Sequence, residues 1–260
     1  MPDAVRTADI PIAQVGPPRS GTRCLRAQVL DTACTGCQLS TLCPPCGLAS
    51  QPLAARQRVE FARVHVPAGR HLYRRGDRFQ CLYAVRAGAL KSTMTRAHGR
   101  DQICGFHLPG EVFALDGVAS GTHATTITAL EDSQVCAVAY GPLIDTISGD
   151  PALEGGLSRL MSHEISRGHR QMLLLGTLNA HQRLAVFLMD QSQRSGAQGH
   201  SVHDFNLRMT RADIGSFLGL TLETVCRTFA SLQARGLLQV DQRRIRIVDL
   251  PALSRSCQAL

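Results

Sequence analysis

The sequence predicts an α+β protein: a β-rich middle, one long helix, and a helix–turn–helix that finishes in a hairpin. Three observations carry this. From about residue 65 to 142, short β-type runs alternate with glycine turns at Gly69, Gly76, Gly88, Gly99, Gly110 and Gly121, the texture of a sandwich or barrel. From 150 to 178, apolar residues recur at helical steps. From Thr210 onward come a cap, a short helix, a glycine turn, a second cap and a longer helix, the spacing of a helix–turn–helix.

Composition bounds what such a chain does. At 260 residues with 44% hydrophobic side chains, the chain buries a real core, which excludes wholesale disorder. The net charge is +8, and 27 of the 28 basic residues are Arg, with Lys91 the one lysine. The bland reading of the Arg bias is a GC-rich genome. The positive sign still favours an anionic partner such as nucleic acid. No apolar run reaches 18 residues, so no transmembrane helix is expected. Asp3, Arg6 and Asp9 break up any signal-peptide core, and a cytoplasmic location is expected. Ten cysteines in a reducing compartment favour metal ligation or redox sensing over a disulfide framework.

Taken in order, residues 1–50 form an arm that carries a cysteine motif. Pro2, Pro11, Gly16, Pro17 and Pro18 deny the arm a periodicity, and Cys34, Cys37, Cys43 and Cys46 fall within thirteen residues. An amphipathic helix is expected from Gln51 to Val64, with Leu53, Val59 and Val64 on its apolar side. The β region fills the rest of 51–148, with runs such as Leu82–Val85, Ile103–Phe106 and Val135–Val138.

In 149–178, Leu157, Met161, Ile165, Gly168, Met172 and Leu175 step by 4, 4, 3, 4 and 3. That is close to a heptad seam and predicts a dimerising helix. The alternative is an ordinary amphipathic helix packed on its own domain. Gly168 costs about 1 kcal/mol of helix propensity relative to Ala, yet lets two helices approach closely.

Residues 179–260 open with a helix over Ala180–Ser192. Thr210 then caps a short helix, with Asp213 in a capping-box position. That helix runs to about Leu218, Gly219 turns the chain, and Thr221 caps a second helix that stops at Gly236. Val225, Phe229 and Leu232 should face inward, and Glu223, Cys226, Arg227 and Ala230 outward. Leu237–Val240 and Arg244–Val248 form the expected wing.

Two stretches resemble a known family. Gly69–Asp77 and Leu82–Lys91 resemble the cyclic-nucleotide-binding barrel, a jelly roll, of the catabolite activator (CRP) superfamily. Met209–Arg227 resembles the winged helix–turn–helix of its FNR branch, the oxygen-responsive anaerobic regulators. The spacing of Cys34, Cys37 and Cys43, with Cys136 far downstream, is similar to the ligand pattern of that branch. From the residues alone, iron–sulfur and zinc both suit a Cys-x2-Cys pair, although five residues between Cys37 and Cys43 are few for a zinc ribbon. The resemblance implies a [4Fe–4S] cluster on Cys34, Cys37, Cys43 and Cys136, with Cys46 as rival for the fourth place. Cys24, Cys81, Cys104, Cys226 and Cys257 are isolated and read mostly as packing residues.

The resemblance further implies a homodimer on a palindromic site in double-stranded DNA, with the cluster controlling dimerisation in response to oxygen and anaerobic genes as targets. The second helix would lie in the major groove. Arg227 suits guanine O6 and N7, and Glu223 suits cytosine N4. Cys226 stands where the FNR branch has Ser, and Leu222 where the catabolite activator has Arg. Thr210 and Arg211 complete the expected DNA face, and Arg208, Arg243, Arg244 and Arg246 are further phosphate candidates. The turn Arg96–Asp101 matches a hairpin that in this superfamily touches RNA polymerase. No cyclic nucleotide is expected, because Val112–Thr128 has no Arg or Lys for a cyclic phosphate. An enzyme is not expected either: the sequence has no dinucleotide fingerprint, Walker loop or His-x-x-x-His.

Overall fold

The computed structural model describes residues 36–40, 42, 61–95 and 101–257. Eight strands fill the β region: β1 (Phe61–Val66), β2 (His71–Tyr73), β3 (Cys81–Ala87), β4 (Leu90–Thr95), β5 (Asp101–His107), β6 (Val112–Phe113), β7 (Thr126–Ala129) and β8 (Ser133–Ala139). They pair antiparallel in two four-stranded sheets, β1-β8-β3-β6 and β2-β7-β4-β5. Val66, Tyr73, Val85, Leu90, Phe113, Ile127 and Val135 make one cluster of the core. The β3–β4 turn needs Gly88, which has φ +85; a Cβ there would come within 2.7 Å of Ser133 Cα.

The helix expected over Gln51–Val64 is corrected where the structure describes it. Residues 61–64 lie in β1, with Phe61 opposite Val138 and Val64 opposite Val135. Partner strand β8 decides this: β-branched Val64 and Val66 suit a pleated surface, and the ladder hydrogen bonds override a weak helical period. Residues 51–60 lie outside the described residues.

Helix α1 (Tyr140–Ile147) leads into α2 (Pro151–Thr177). Asp150 caps α2, accepting from the amides of Ala152 at 3.0 Å and Leu153 at 3.3 Å, and Pro151 sits in the first turn, where its missing N–H costs nothing. Helix α3 (Ala180–Ala197) starts at a capping box of Asn179 and Gln182 and runs five residues beyond the expected Ser192. Then come β9 (Asp204–Asn206), α4 (Arg211–Leu218), α5 (Leu222–Ala234), β10 (Leu238–Asp241), β11 (Arg244–Ile247) and α6 (Leu250–Cys257). The wing is a three-stranded sheet, β10-β11-β9. The third strand, α1 and α6 were not anticipated.

One apolar cluster joins Leu184, Phe187, Leu188, Ile214, Leu218, Val225, Phe229, Leu232 and Ile245 of the C-terminal part to Ile103 and Phe106 of β5. The winged helix therefore packs on its own barrel. Polar contacts fix that packing: Lys91 Nζ lies 2.6 Å from Asp213 Oδ1, the Ile103 amide donates to Ser216 Oγ at 3.0 Å, and Arg208 meets Glu131 at 2.9 Å.

Candidate nucleic-acid interface

The outward face of α5 is built from its own sequence. Thr221 Oγ1 accepts from the Thr224 amide at 3.1 Å and starts the helix. Gly219, at φ 64, ends α4 and turns the chain toward α5. Val225, Phe229 and Leu232 face the core. On the opposite side Leu222 is 52% exposed, the side chains of Arg227 and Glu223 are 71% and 78% exposed, and Cys226 is an exposed free thiol. Arg227 and Glu223 approach to 3.6 Å across one helical turn, a weak solvated pair that leaves both heads available to a partner.

Residues 210–213 play a different part. Thr210 and Asp213 form the capping box of α4, with Thr210 Oγ1 donating to Asp213 Oδ2 at 2.7 Å and accepting from the Asp213 amide at 3.1 Å. Burial tends to raise the Asp213 pKa, but hydrogen bonds from Lys91 and Thr210 outweigh it and hold the carboxyl below its usual range. The Arg211 guanidinium lies 3.6 Å above the Phe229 ring, and Nη2 donates to the Gln242 carbonyl at 3.2 Å. Arg211 thus ties α4, α5 and the wing turn together, and burial lowers its pKa. That role had no signal in a linear reading, because Arg211, Phe229 and Gln242 are far apart in sequence. Among the other phosphate candidates, Arg244 is held bidentate by Asp204 at 2.7 and 2.8 Å, and Arg208 by Glu131. Arg243 and Arg246 are exposed and form no ion pair among the described residues.

Along α2 the expected seam divides. Leu153, Gly156, Leu160 and Leu174 are buried in the chain's own core, and Leu157, Met161 and Leu175 are half-buried. Ile165 at 60%, Met172 at 64% and the neighbouring Leu173 at 48% are exposed, as is Gly168. The middle of the helix therefore presents apolar side chains to solvent.

Comparison with known proteins fixes the family. Residues 63–150 match the model of the cyclic nucleotide-binding domain, and residues 182–256 match that of the Crp-like helix-turn-helix domain. The chain is 42% identical over 221 residues to the transcriptional regulatory protein btr of Bordetella pertussis, covering 85% of this chain and 91% of that one. It is 38% identical to the fumarate and nitrate reduction regulatory protein of Escherichia coli, covering 85% of this chain and 88% of that one. The chain belongs to the CRP/FNR superfamily of transcription regulators. Among solved structures, FixK2 from Bradyrhizobium japonicum superposes with a TM-score of 0.71 at 31% identity, over 77% of this chain and 98% of that one.

For this CRP/FNR regulator the expected cluster is corrected. Among the described residues, no group of three or more His, Cys, Asp or Glu could hold a metal ion. Of the four expected ligands, Cys37 is half-buried and Cys136 is buried. Cys34 and Cys43 lie outside the described residues, as does Cys46. With no such group among the described residues, the [4Fe–4S] centre, the zinc alternative and the oxygen-responsive reading built on them are not supported. What holds residues 36–42 to the barrel is apolar burial and backbone pairing. Leu39 and Leu42 are fully buried among Leu82, Val112, Val138 and Leu143. The Gln38 amide donates to the Gly110 carbonyl at 2.8 Å, and the Val112 amide to Gln38 Oε1 at 3.0 Å. Cys81, expected as a packing thiol, is disulfide-bonded. Among the described residues, no helix is long and apolar enough to cross a membrane.

Proposed function

We propose that this chain is a homodimeric, sequence-specific regulator of transcription that reads a palindromic DNA site with α5. The observation that carries this reading is the outward face of α5, where Leu222, Glu223, Cys226 and Arg227 are exposed on a helix whose other side is locked into the core. The second helix of such a motif enters the major groove and contacts bases from its N-terminal part. Arg227 donates two hydrogen bonds to guanine, and Glu223 accepts from cytosine N4. Cys226 offers a weak hydrogen bonder that sits comfortably against a thymine methyl. Arg243 and Arg246, which form no ion pair among the described residues, serve as phosphate contacts.

A second copy of the chain covers the apolar middle of α2. Ile165, Gly168 and Met172 continue the heptad that Leu157, Met161 and Leu175 begin and end, and two symmetric recognition helices match a palindrome. RNA polymerase is the expected protein partner, through the turn at Arg96–Asp101, most of which lies outside the described residues. Cyclic nucleotide is a poor ligand for this barrel, since Val112–Thr128 carries no Arg or Lys. The test is fluorescence anisotropy on a library of palindromic duplexes. Selection of one half-site by the unmodified chain, relaxed at a single base pair by Arg227→Ala, supports the reading. Equal affinity for all duplexes would sink it.

A further inference from the structure

Helix α4 ends directly before the turn that leads to α5, so its last carbonyls lie where the two helices are set against each other. The last four carbonyls of a helix have no partner within it. In α4 two of them are met locally. The Leu220 amide donates to the Gly215 carbonyl at 2.9 Å, and the Gly219 amide to the Ser216 carbonyl at 3.4 Å, the pairing that a left-handed glycine allows. The other two are met by distant side chains. Gln171 Nε2 of α2 donates to the Phe217 carbonyl at 2.9 Å, and Arg183 Nη1 of α3 donates to the Leu218 carbonyl at 2.9 Å.

The same guanidinium closes the end of α2. Arg183 Nη2 donates to the Leu175 carbonyl at 2.8 Å, and Nε to the Leu178 carbonyl at 2.8 Å. Leu175 lies in the last turn of α2, which ends at Thr177, and α3 starts at Ala180. One planar cation thus holds the bend between α2 and α3 and fastens the turn before α5 to that bend. A cation suits this place, because the negative ends of the α2 and α4 dipoles meet on it. Guanidinium donors are fixed in one plane, so holding three carbonyls at once also fixes how those carbonyls lie relative to one another. The turn sits close against both side chains: a Cβ on Gly219 would lie 3.4 Å from Arg183 Nη1 and from Leu175 Cδ2.

In the dimer described above, these contacts connect the helix that a second copy covers to the helix that reads bases. We propose that Arg183, with Gln171 in support, is the positioning residue that sets which separation of half-sites the dimer accepts. The inference rests on the dimeric, palindrome-reading function. Two recognition helices enter the major groove together only when the half-sites lie about one duplex turn apart, or a multiple of it. Each added base pair shifts a half-site by about 3.4 Å and rotates it by about 34°. A rigid link from α2 to α5 therefore selects one spacer, and a loose link accepts several. Lys91 and the Ile103 amide also hold α4, at Asp213 and Ser216, but they tie it to the barrel. The tie to the end of α2 runs through Phe217 and Leu218. Arg183 acts through the turn, and base choice within a half-site stays with α5.

The test is fluorescence anisotropy of the full chain on palindromic duplexes with identical half-sites and different spacer lengths, with sedimentation to report the dimer. The unmodified chain should favour one spacer by about tenfold or more over spacers one base pair longer or shorter. Arg183→Ala should cut that preference to about threefold or less, while it stays dimeric and keeps the same base preference within one half-site. Arg183→Lys, whose compact ammonium cannot span three carbonyls, should fall between the two. Gln171→Leu should lower the preference by less than Arg183→Ala does. Should Arg183→Ala fail to fold, Arg183→Lys and Gln171→Leu carry the test. Full spacer preference in these variants would overturn the inference and leave the dimeric reading intact. Loss of affinity by the same factor on every spacer, or loss of the dimer, would also overturn it, as the mark of a merely structural role. An unmodified chain that prefers no palindrome overturns the inference and the dimeric reading together.

Discussion

Helix α5 and the docked segment at residues 36–42 each carry a motif, and they came out differently. On α5 every relevant neighbour lies three or four residues away: Thr221 caps toward Thr224, Glu223 meets Arg227, and Val225, Phe229 and Leu232 share a side. Helical geometry alone fixes those relations. The segment at 36–42 depends on partners 70 to 110 residues away, at Gly110, Val112, Val138 and Leu143. Its cysteines drew attention, but Leu39, Leu42 and Gln38 make the main described contacts, with Cys37 packed beside them. A motif whose geometry is local is safe to read from sequence, whereas one that needs a distant partner is not.

The sharpest way to break this comparison is to cut the two long-range surfaces. A charge at the bare middle of α2, as in Ile165→Glu, is expected to cost about 3–5 kcal/mol if that surface is buried by a second copy. Sedimentation should then show monomer and DNA affinity should collapse. An unchanged dimer would return α2 to the ordinary amphipathic helix. Leu39→Ala should lower stability by about 2–5 kcal/mol in urea denaturation, although Leu39 lies in a short segment with no regular secondary structure. A loss below about 0.5 kcal/mol would mean that the segment is not anchored by its leucines.

The local motif predicts smaller effects. Arg227→Ala should cost about 1–3 kcal/mol of binding to the preferred duplex and leave the midpoint of unfolding unchanged. Thr221→Ala should cost about 1 kcal/mol of stability through the lost cap. The smallest effect is a pH dependence at the contact between the barrel and α4. The Asp213 carboxyl is held below its ordinary value. Its contribution is therefore complete above about pH 4 and is lost as pH falls through the lowered folded value. Lys91→Met should reduce this acid-sensitive part of the stability, measured by urea denaturation at neutral pH and below about pH 4. An identical acid profile in Lys91→Met would show that Lys91 does not set the Asp213 charge.

The sequence by itself determined the α+β class, the glycine-punctuated strands, the long helix, and the cap–turn–cap grammar of α4 and α5. These rest on period, propensity and capping, which act within a few residues. Only the tertiary structure decided the rest. Pairing with β8 made residues 61–64 a strand. Packing on Phe229 and the wing turn committed Arg211 to an internal tie. Arg183 joins the ends of α2 and α4, whose carbonyls at Leu175 and Leu218 lie far apart in sequence. The burial of Leu39 and Leu42 explains the described docking of 36–42. In each case the deciding energy is burial or pairing with a distant element, and that information is carried by the fold and not by local spacing.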